Sequence, residues 1–240
     1  MTIGITILSA VTAYLIGGIS FARLVSRLLA PDVDLEDVRL PSADGGEGQR
    51  LRAVGATTAS LRLGSKAGCT IGLLDILKGA VPVMALKLLY PGEYYFLIAA
   101  VFVVMGHNWP VYFRFRGGGG ISPTYGGFFV VDFVGTMISA FAGMVFGFFI
   151  VRDILIAYTS GLWFMLLWLI IFRGEWPYIV YGVVMNVIFI VALLPDIKDH
   201  VRKRRAGELD MGSSLELFPM GRGMLRIMRF FGMGPREEQE

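Results

Sequence analysis

Three segments in the second half of the chain, residues 133–151, 154–172 and 176–195, contain no charged side chain. A helix needs about 20 apolar residues to cross the hydrocarbon of a bilayer, so each is long enough to span. Within lipid every backbone N–H and C=O has to be satisfied internally, and an uninterrupted apolar run of this length does so as a helix. Three further segments follow the same rule. Residues 1–22 carry no charge and lack the basic start and cleavage-type site of a signal peptide. Residues 67–90 are apolar apart from Asp75, Lys78 and Lys87, and residues 94–113 carry only His107.

Six crossings would leave both termini on one side of the membrane, and the distribution of basic residues argues against that. Arg202, Lys203, Arg204 and Arg205 follow the last apolar segment, whereas no basic residue precedes the first. Lys and Arg collect on the cytoplasmic side, which puts the carboxyl terminus inside, the amino terminus outside, and requires an odd number of crossings. Residues 117–151 supply the missing one. They are too long for one straight helix and are interrupted by Asp132 and Gly135, so they read as a short helix over about residues 122–131 followed by a full one, an arrangement tolerated where broken helices line a protein cavity. The expected fold is all-α: a polytopic integral membrane bundle of about seven transmembrane helices over residues 1–205, followed by a cytoplasmic tail, residues 206–240. In that tail Leu225, Met228 and Phe231 recur at helical spacing with Arg222, Arg226 and Arg229 along another face, the pattern of a segment lying on an anionic membrane surface.

Composition narrows the function. With 55% hydrophobic and 17% charged residues the chain has no room for a separate soluble catalytic domain. A single cysteine, Cys69, excludes an intramolecular disulfide and a Cys-based metal site, and two histidines, His107 and His200, do not make a metal cluster, so neither metal nor cofactor is expected. The net charge of +3 is small, and no nucleic-acid partner is expected.

Three features do not follow from membrane insertion alone. The segment 45–64 mixes glycines and hydroxyl side chains with Arg50, Arg52 and Arg62; backbone amides freed by glycine and bidentate arginines are ligands for phosphate, while the same composition also describes a polar loop. Asp75, Lys78 and Gly79 interrupt an apolar helix, and residues three apart share a helix face, so the carboxylate and ammonium can pair inside the bundle, where intramembrane charges mark sites. The third feature is the run 106–122, in which Gly117, Gly118, Gly119 and Gly120 immediately precede a helix, with Arg114, Arg116 and Ser122 beside them. A helix amino terminus presents unpaired N–H groups and partial positive charge, an anion site. His107 lies about two turns before Arg114.

Taken together these residues resemble a family. Gly17-Gly18-Ile19-Ser20 at the end of the first helix, Gly55-Ala56-Thr57-Thr58, the run 73–80 around Asp75, Lys78 and Gly79, and the run 106–120 containing Gly106, His107, Pro110, Phe115, Gly117, Gly118 and Gly120 are similar to motifs of the bacterial acyl-phosphate:glycerol-3-phosphate acyltransferases, the PlsY family. The similarity extends from about residue 14 to residue 205. Several motif positions differ: Gly119 stands where the family has lysine, Ser20 where it has proline, and Gly46, Glu47, Gly48 and Gln49 where it has Gly-Ser-Gly-Asn.

The resemblance implies a seven-helix enzyme of the bacterial inner membrane that moves a fatty acyl group from acyl phosphate to glycerol 3-phosphate, or to a related acceptor, in phospholipid biosynthesis. Its implied partners are those two substrates and membrane lipids. It further implies catalytic roles for His107, Lys78 and Asp75, and substrate or phosphate binding by Gly46, Gly48, Gly55, Thr57, Arg62, Arg116, Gly117, Gly118, Gly119, Gly120 and Ser122. The altered motif positions keep a second reading open, a relative that binds or transports a lipid or an anionic solute without catalysing the reaction.

Overall fold

The computed structural model describes residues 1–36, 38, 39, 50, 51 and 53–205. The tail, residues 206–240, and Gly46 and Gly48 lie outside the described residues. The described residues are mainly helical, in the order α1 (Ile3–Gly17), α2 (Phe21–Leu29), α3 (Ala56–Leu63), α4 (Ser65–Leu89), α5 (Tyr95–Asn108), α6 (Ile121–Val131), α7 (Phe133–Val145), α8 (Ile154–Trp168) and α9 (Trp176–Arg205). Two short strands, β1 (Val38–Arg39) and β2 (Arg50–Leu51), pair antiparallel between α2 and α3 with Val38 opposite Leu51. Among the described residues six helical stretches are long and apolar enough to cross a membrane, and α6 is the shorter seventh. The protein is a multi-pass integral membrane helix bundle.

Helix α5 forms its centre. Ala99, Ala100, Val103 and Val104 are buried to within 1% and meet Ala13 of α1, Val83 of α4, Phe128 of α6 and Met185 of α9 in one cluster. Close approach is set by glycines: a methyl group at Gly17 would overlap the Val103 carbonyl, one at Gly106 the Tyr14 carbonyl and one at Gly79 the Pro123 carbonyl. On the outside the pattern inverts, with Leu73, Phe141, Trp163, Ile171 and Val187 all exposed. Such a continuous apolar exterior suits lipid and would be a liability in water.

Three boundaries depart from the sequence-based expectation. The first apolar segment is not one helix: α1 stops at Gly17, and Ser20 caps α2 by accepting the Arg23 N–H at 3.4 Å. The last helix does not stop at Pro195 but runs through it to Arg205, giving up one i→i−4 hydrogen bond near its end. Residues 56–63, expected within a glycine-rich loop, are the helix α3, which lies so close to the first turns of α4 that a methyl group at Gly68 would overlap Ser60 and the Ala56 carbonyl.

The connections gather at two ends. At one, Met1 pairs with Glu93 at 2.9 Å, Tyr94 donates to Glu175 at 2.7 Å, and Arg173 donates to Asp132 at 2.9 Å. At the other, Arg23 donates to the Arg116 carbonyl at 2.8 Å, the Val54 N–H to the Gly117 carbonyl at 3.0 Å, and His200 Nε2 lies 2.8 Å from Asp153. Asp132 and Asp153 are also the N-caps of α7 and α8, so the charges that interrupt the apolar sequence are what start these helices. This segregation is what seven passes produce, with α6 counting as one.

Candidate active site

The break between α1 and α2 exposes a main-chain carbonyl that a continuous helix would have used. Ile19 O accepts from Lys78 Nζ at 2.7 Å. The same ammonium lies 2.9 Å from Asp75 Oδ1 and 3.0 Å from His107 Nδ1, so α1, α4 and α5 converge on one lysine. The side chains of Lys78, Asp75 and His107 are 1%, 3% and 8% exposed. Oδ1 of Asp75 makes no aligned hydrogen bond, which leaves the Asp75–Lys78 contact an ion pair. The i, i+3 pairing follows from the sequence; the partnership with His107 and with the Ile19 carbonyl joins features that are far apart in it.

These contacts dictate the state of the imidazole. An ammonium has three donors and no acceptor, so His107 Nδ1 accepts from Lys78 and carries no proton. A second cation 3.0 Å from the ammonium is disfavoured, which makes His107 neutral with its N–H on Nε2. That N–H faces Gly118: a methyl group there would overlap Nε2 and come within 2.9 Å of Cε1.

The glycine run lies over the carboxyl end of α5. The Gly118 N–H donates to the His107 carbonyl at 3.1 Å, a methyl at Gly117 would overlap that carbonyl, and one at Gly120 would overlap Asn108 Oδ1. Gly120 is also the N-cap of α6 in the left-handed region, φ 79°. Glycine is therefore required at three of the four positions for space, and at Gly120 for backbone conformation as well. Gly119 differs: its nearest neighbours would be Leu193 Cδ2 at 3.5 Å and Ala53 Cβ at 3.9 Å, ordinary contact distances.

Beside the run opens a cavity of about 480 Å³ lined by Asn108, Gly117, Gly118 and Arg116, with Glu36, Asp196 and Pro195 among its other walls. Arg116 is 77% exposed and reaches to 4.0 Å from Glu36, which also takes the Arg23 guanidinium at 2.9 Å. Arg114 and Phe115 both occupy the left-handed region, φ 50° and 61°, and form the tight turn that swings Arg116 to the cavity. Gly55 is brought near through Val54, which docks on Gly117. The hydroxyl engaged there is that of Thr58, which accepts the Gly55 N–H at 3.0 Å; Thr57 is exposed. Arg62 stands exposed in the last turn of α3, at the opposite end of that helix from Gly55, and Ser122 is half-buried in the first turn of α6. Sequence reasoning passed over Asn108, Arg23 and Glu36. Position alone, next to His107, could have drawn notice to Asn108.

A family model described as glycerol-3-phosphate acyltransferase matches residues 7–203. The chain belongs to this glycerol-3-phosphate acyltransferase family. A glycerol-3-phosphate acyltransferase of Thermoanaerobacter sp. (strain X514) is 38% identical over 120 residues, covering 50% of this chain and 54% of the relative. The match thus spans about half the length of the first such relatives. One from Desulfotalea psychrophila (strain LSv54 / DSM 12343) is 34% identical over 163 residues, covering 65% of this chain and 76% of the relative. The fold is similar to crystal structures of PlsY, an integral membrane glycerol 3-phosphate acyltransferase. Its glycerol 3-phosphate form superposes with a TM-score of 0.68 at 23% identity over 85% of this chain and 94% of that one; its lysophosphatidic acid form has the same TM-score at 22% identity.

Proposed function

We propose that this member of the family transfers a fatty acyl group from acyl phosphate to the 1-hydroxyl of glycerol 3-phosphate, releasing phosphate and lysophosphatidate. The observation that carries the reading is the buried Asp75–Lys78–His107 cluster, which fixes a neutral imidazole with its Nε2–H toward Gly118 of the glycine run, itself a wall of the cavity. An acyl phosphate is already activated, so the protein's task is to hold two anions and orient the alcohol at the carbonyl carbon.

In this mechanism His107 acts as a hydrogen-bond donor at Nε2, to the attacking hydroxyl or to the developing oxyanion, because its other nitrogen is occupied by Lys78. The acceptor oxygen forms the new C–O bond, the carbonyl–phosphate C–O bond breaks, and the departing phosphate takes the hydroxyl proton. Lys78 and Asp75 position the imidazole. Arg116, the amides of Gly117, Gly119 and Gly120 and the amino end of α6 with Ser122 attract the phosphoryl groups, while the Gly118 amide holds the run to the His107 carbonyl. In this proposal Gly55, which follows Val54 of the cavity wall, and Thr57 and Arg62 of α3 serve the same phosphoryl groups. The acyl chain extends into the apolar bundle. In this reading the site faces the cytoplasm of a bacterial inner membrane, with the amino terminus outside and the carboxyl terminus inside. The family membership and the intact cluster favour an enzyme over a binding or transport protein.

The test is direct. Purified protein in lipid receives a long-chain acyl phosphate and glycerol 3-phosphate, with phosphate release and lysophosphatidate followed together. Stoichiometric appearance of both supports the reading. Phosphate release without lysophosphatidate, or neither product from folded protein, rejects it.

A further inference from the structure

Next to His107 on α5, Asn108 is only 4% exposed, yet its Oδ1 and Nδ2 are both buried without a hydrogen-bond partner among the described residues. Buried carboxamides are normally satisfied, and an exception calls for a physical reason. Packing supplies none: Gly120 is pressed against Oδ1 with a left-handed backbone that carries no side chain, so the local chain conformation preserves the amide's position rather than satisfying it. What adjoins it is the cavity of about 480 Å³, which Asn108 lines together with Gly117, Gly118 and Arg116.

Adjacent residues at a helix end point about 100° apart. One therefore meets the lysine while its neighbour stands in the cavity wall with its amide beneath Gly120, and the same stretch of glycine backbone covers both, Gly118 over His107 and Gly120 over Asn108. A carboxamide offers two N–H donors and one carbonyl acceptor. A ligand that uses both ends carries anionic oxygens and a hydroxyl group, which is the chemistry of a small phosphate monoester of a polyol. Arg116 at the cavity wall supplies the positive charge that an amide lacks.

We infer that the Asn108 carboxamide is a specificity-determining contact for the phosphorylated acceptor, its Nδ2 donating to a phosphoryl oxygen and its Oδ1 accepting from a hydroxyl. The inference rests on the acyl-transfer reading for its substrate but not for its test. It also accounts for how an anion is oriented near a glycine run that has Gly119 in place of a lysine: a neutral donor at its base takes part of that task.

The experiment compares wild type with Asn108→Asp and Asn108→Ala in lipid. Asp keeps the shape but removes both donors and adds negative charge. Calorimetric binding of glycerol 3-phosphate, glycerol and inorganic phosphate is measured alongside KM for each substrate, kcat and the unliganded melting temperature. Asn108→Asp is expected to weaken glycerol 3-phosphate binding and raise its KM by about tenfold or more, with kcat and melting temperature near wild type, and Asn108→Ala to weaken it less. Loss of inorganic phosphate binding with glycerol unaffected assigns the contact to the phosphoryl group. Unchanged glycerol 3-phosphate binding in folded Asn108→Asp overturns the inference, as does a rise confined to the KM of acyl phosphate. A fall in melting temperature in both variants with unchanged binding makes the amide structural and also overturns it. If wild type binds glycerol 3-phosphate but transfers no acyl group, the reaction assigned above fails while the binding comparison still decides this one.

Discussion

Replacing Gly118 by alanine adds a single methyl group, and the structure specifies what that methyl meets. It would overlap His107 Nε2 and stand 2.9 Å from Cε1 and 3.0 Å from Cδ2. Heavy-atom carbon contacts settle at about 3.5–4.0 Å, so the ring has to retreat by roughly 1 Å. The ring has no slack on its far side, because Nδ1 is 3.0 Å from Lys78 Nζ and 3.6 Å from Asp75 Oδ1. A misplacement of about 1 Å in a reacting group costs about 10²-fold in rate. Gly118→Ala should therefore lower kcat by about that factor. Gly119→Ala, whose methyl would sit 3.5 Å from Leu193 Cδ2, should stay close to wild type. Continuous phosphate-release kinetics on both variants, with melting curves to establish folding, make the comparison. Full turnover in Gly118→Ala, or an equal loss in Gly119→Ala, would refute the claim that the glycine run acts by admitting the imidazole.

Other expectations follow from the same contacts. Lys78→Met strands the Asp75 carboxylate inside the bundle and should cost about 3–5 kcal/mol of stability, whereas Asp75→Asn combined with Lys78→Met should recover much of it, as read from thermal unfolding in detergent; equal losses in the two proteins would contradict a buried ion pair. Burial pushes the Asp132 carboxyl up, but the Gly135 amide, the neighbouring Trp168 and the Arg173 guanidinium outweigh it and hold the group below its usual range. Its stabilisation is accordingly complete above the ordinary carboxylate range and fades as pH falls through the depressed value; Asp132→Asn should flatten the acid side of the melting temperature profile, and an unchanged profile would speak against the Arg173 pairing. With Cys69 replaced by serine, single cysteines at Glu93 and at Asp199 should react with a membrane-impermeant reagent from opposite faces in oriented vesicles, and labelling from one face would rule out seven crossings.

The bundle was legible in the sequence because lipid imposes a simple code: long charge-free runs are spans. Asp75 and Lys78 were legible for a related reason, since charges inside such a run have to pair and a separation of three puts them on one face. The Lys78 contact with Ile19 was not, because its acceptor is a main-chain oxygen 59 positions away that exists only where α1 stops. Helix α3 was obscured by the glycines around it, whose loop composition hides the fact that Gly68 on α4 gives residues 56–63 a surface to pack on. The roles expected for Thr57 and Arg62 came from the composition of residues 45–64 and from motif resemblance, neither of which specifies which way a side chain faces. The structure leaves Thr57 exposed and gives the capping contact to Thr58.

The hydrogen bond from Lys78 to Ile19 has an implication for how the first helix tolerates change. Its acceptor is a carbonyl, so no side-chain replacement at position 19 can delete it, and a survey of point variants there would register only effects on lipid contact. The vulnerable positions are those that keep the chain from winding on. Helix-promoting replacements around Gly18 would draw the Ile19 oxygen back into an i→i−4 ladder and take it from the lysine, so the discontinuity itself behaves as a functional residue with no single letter to its name.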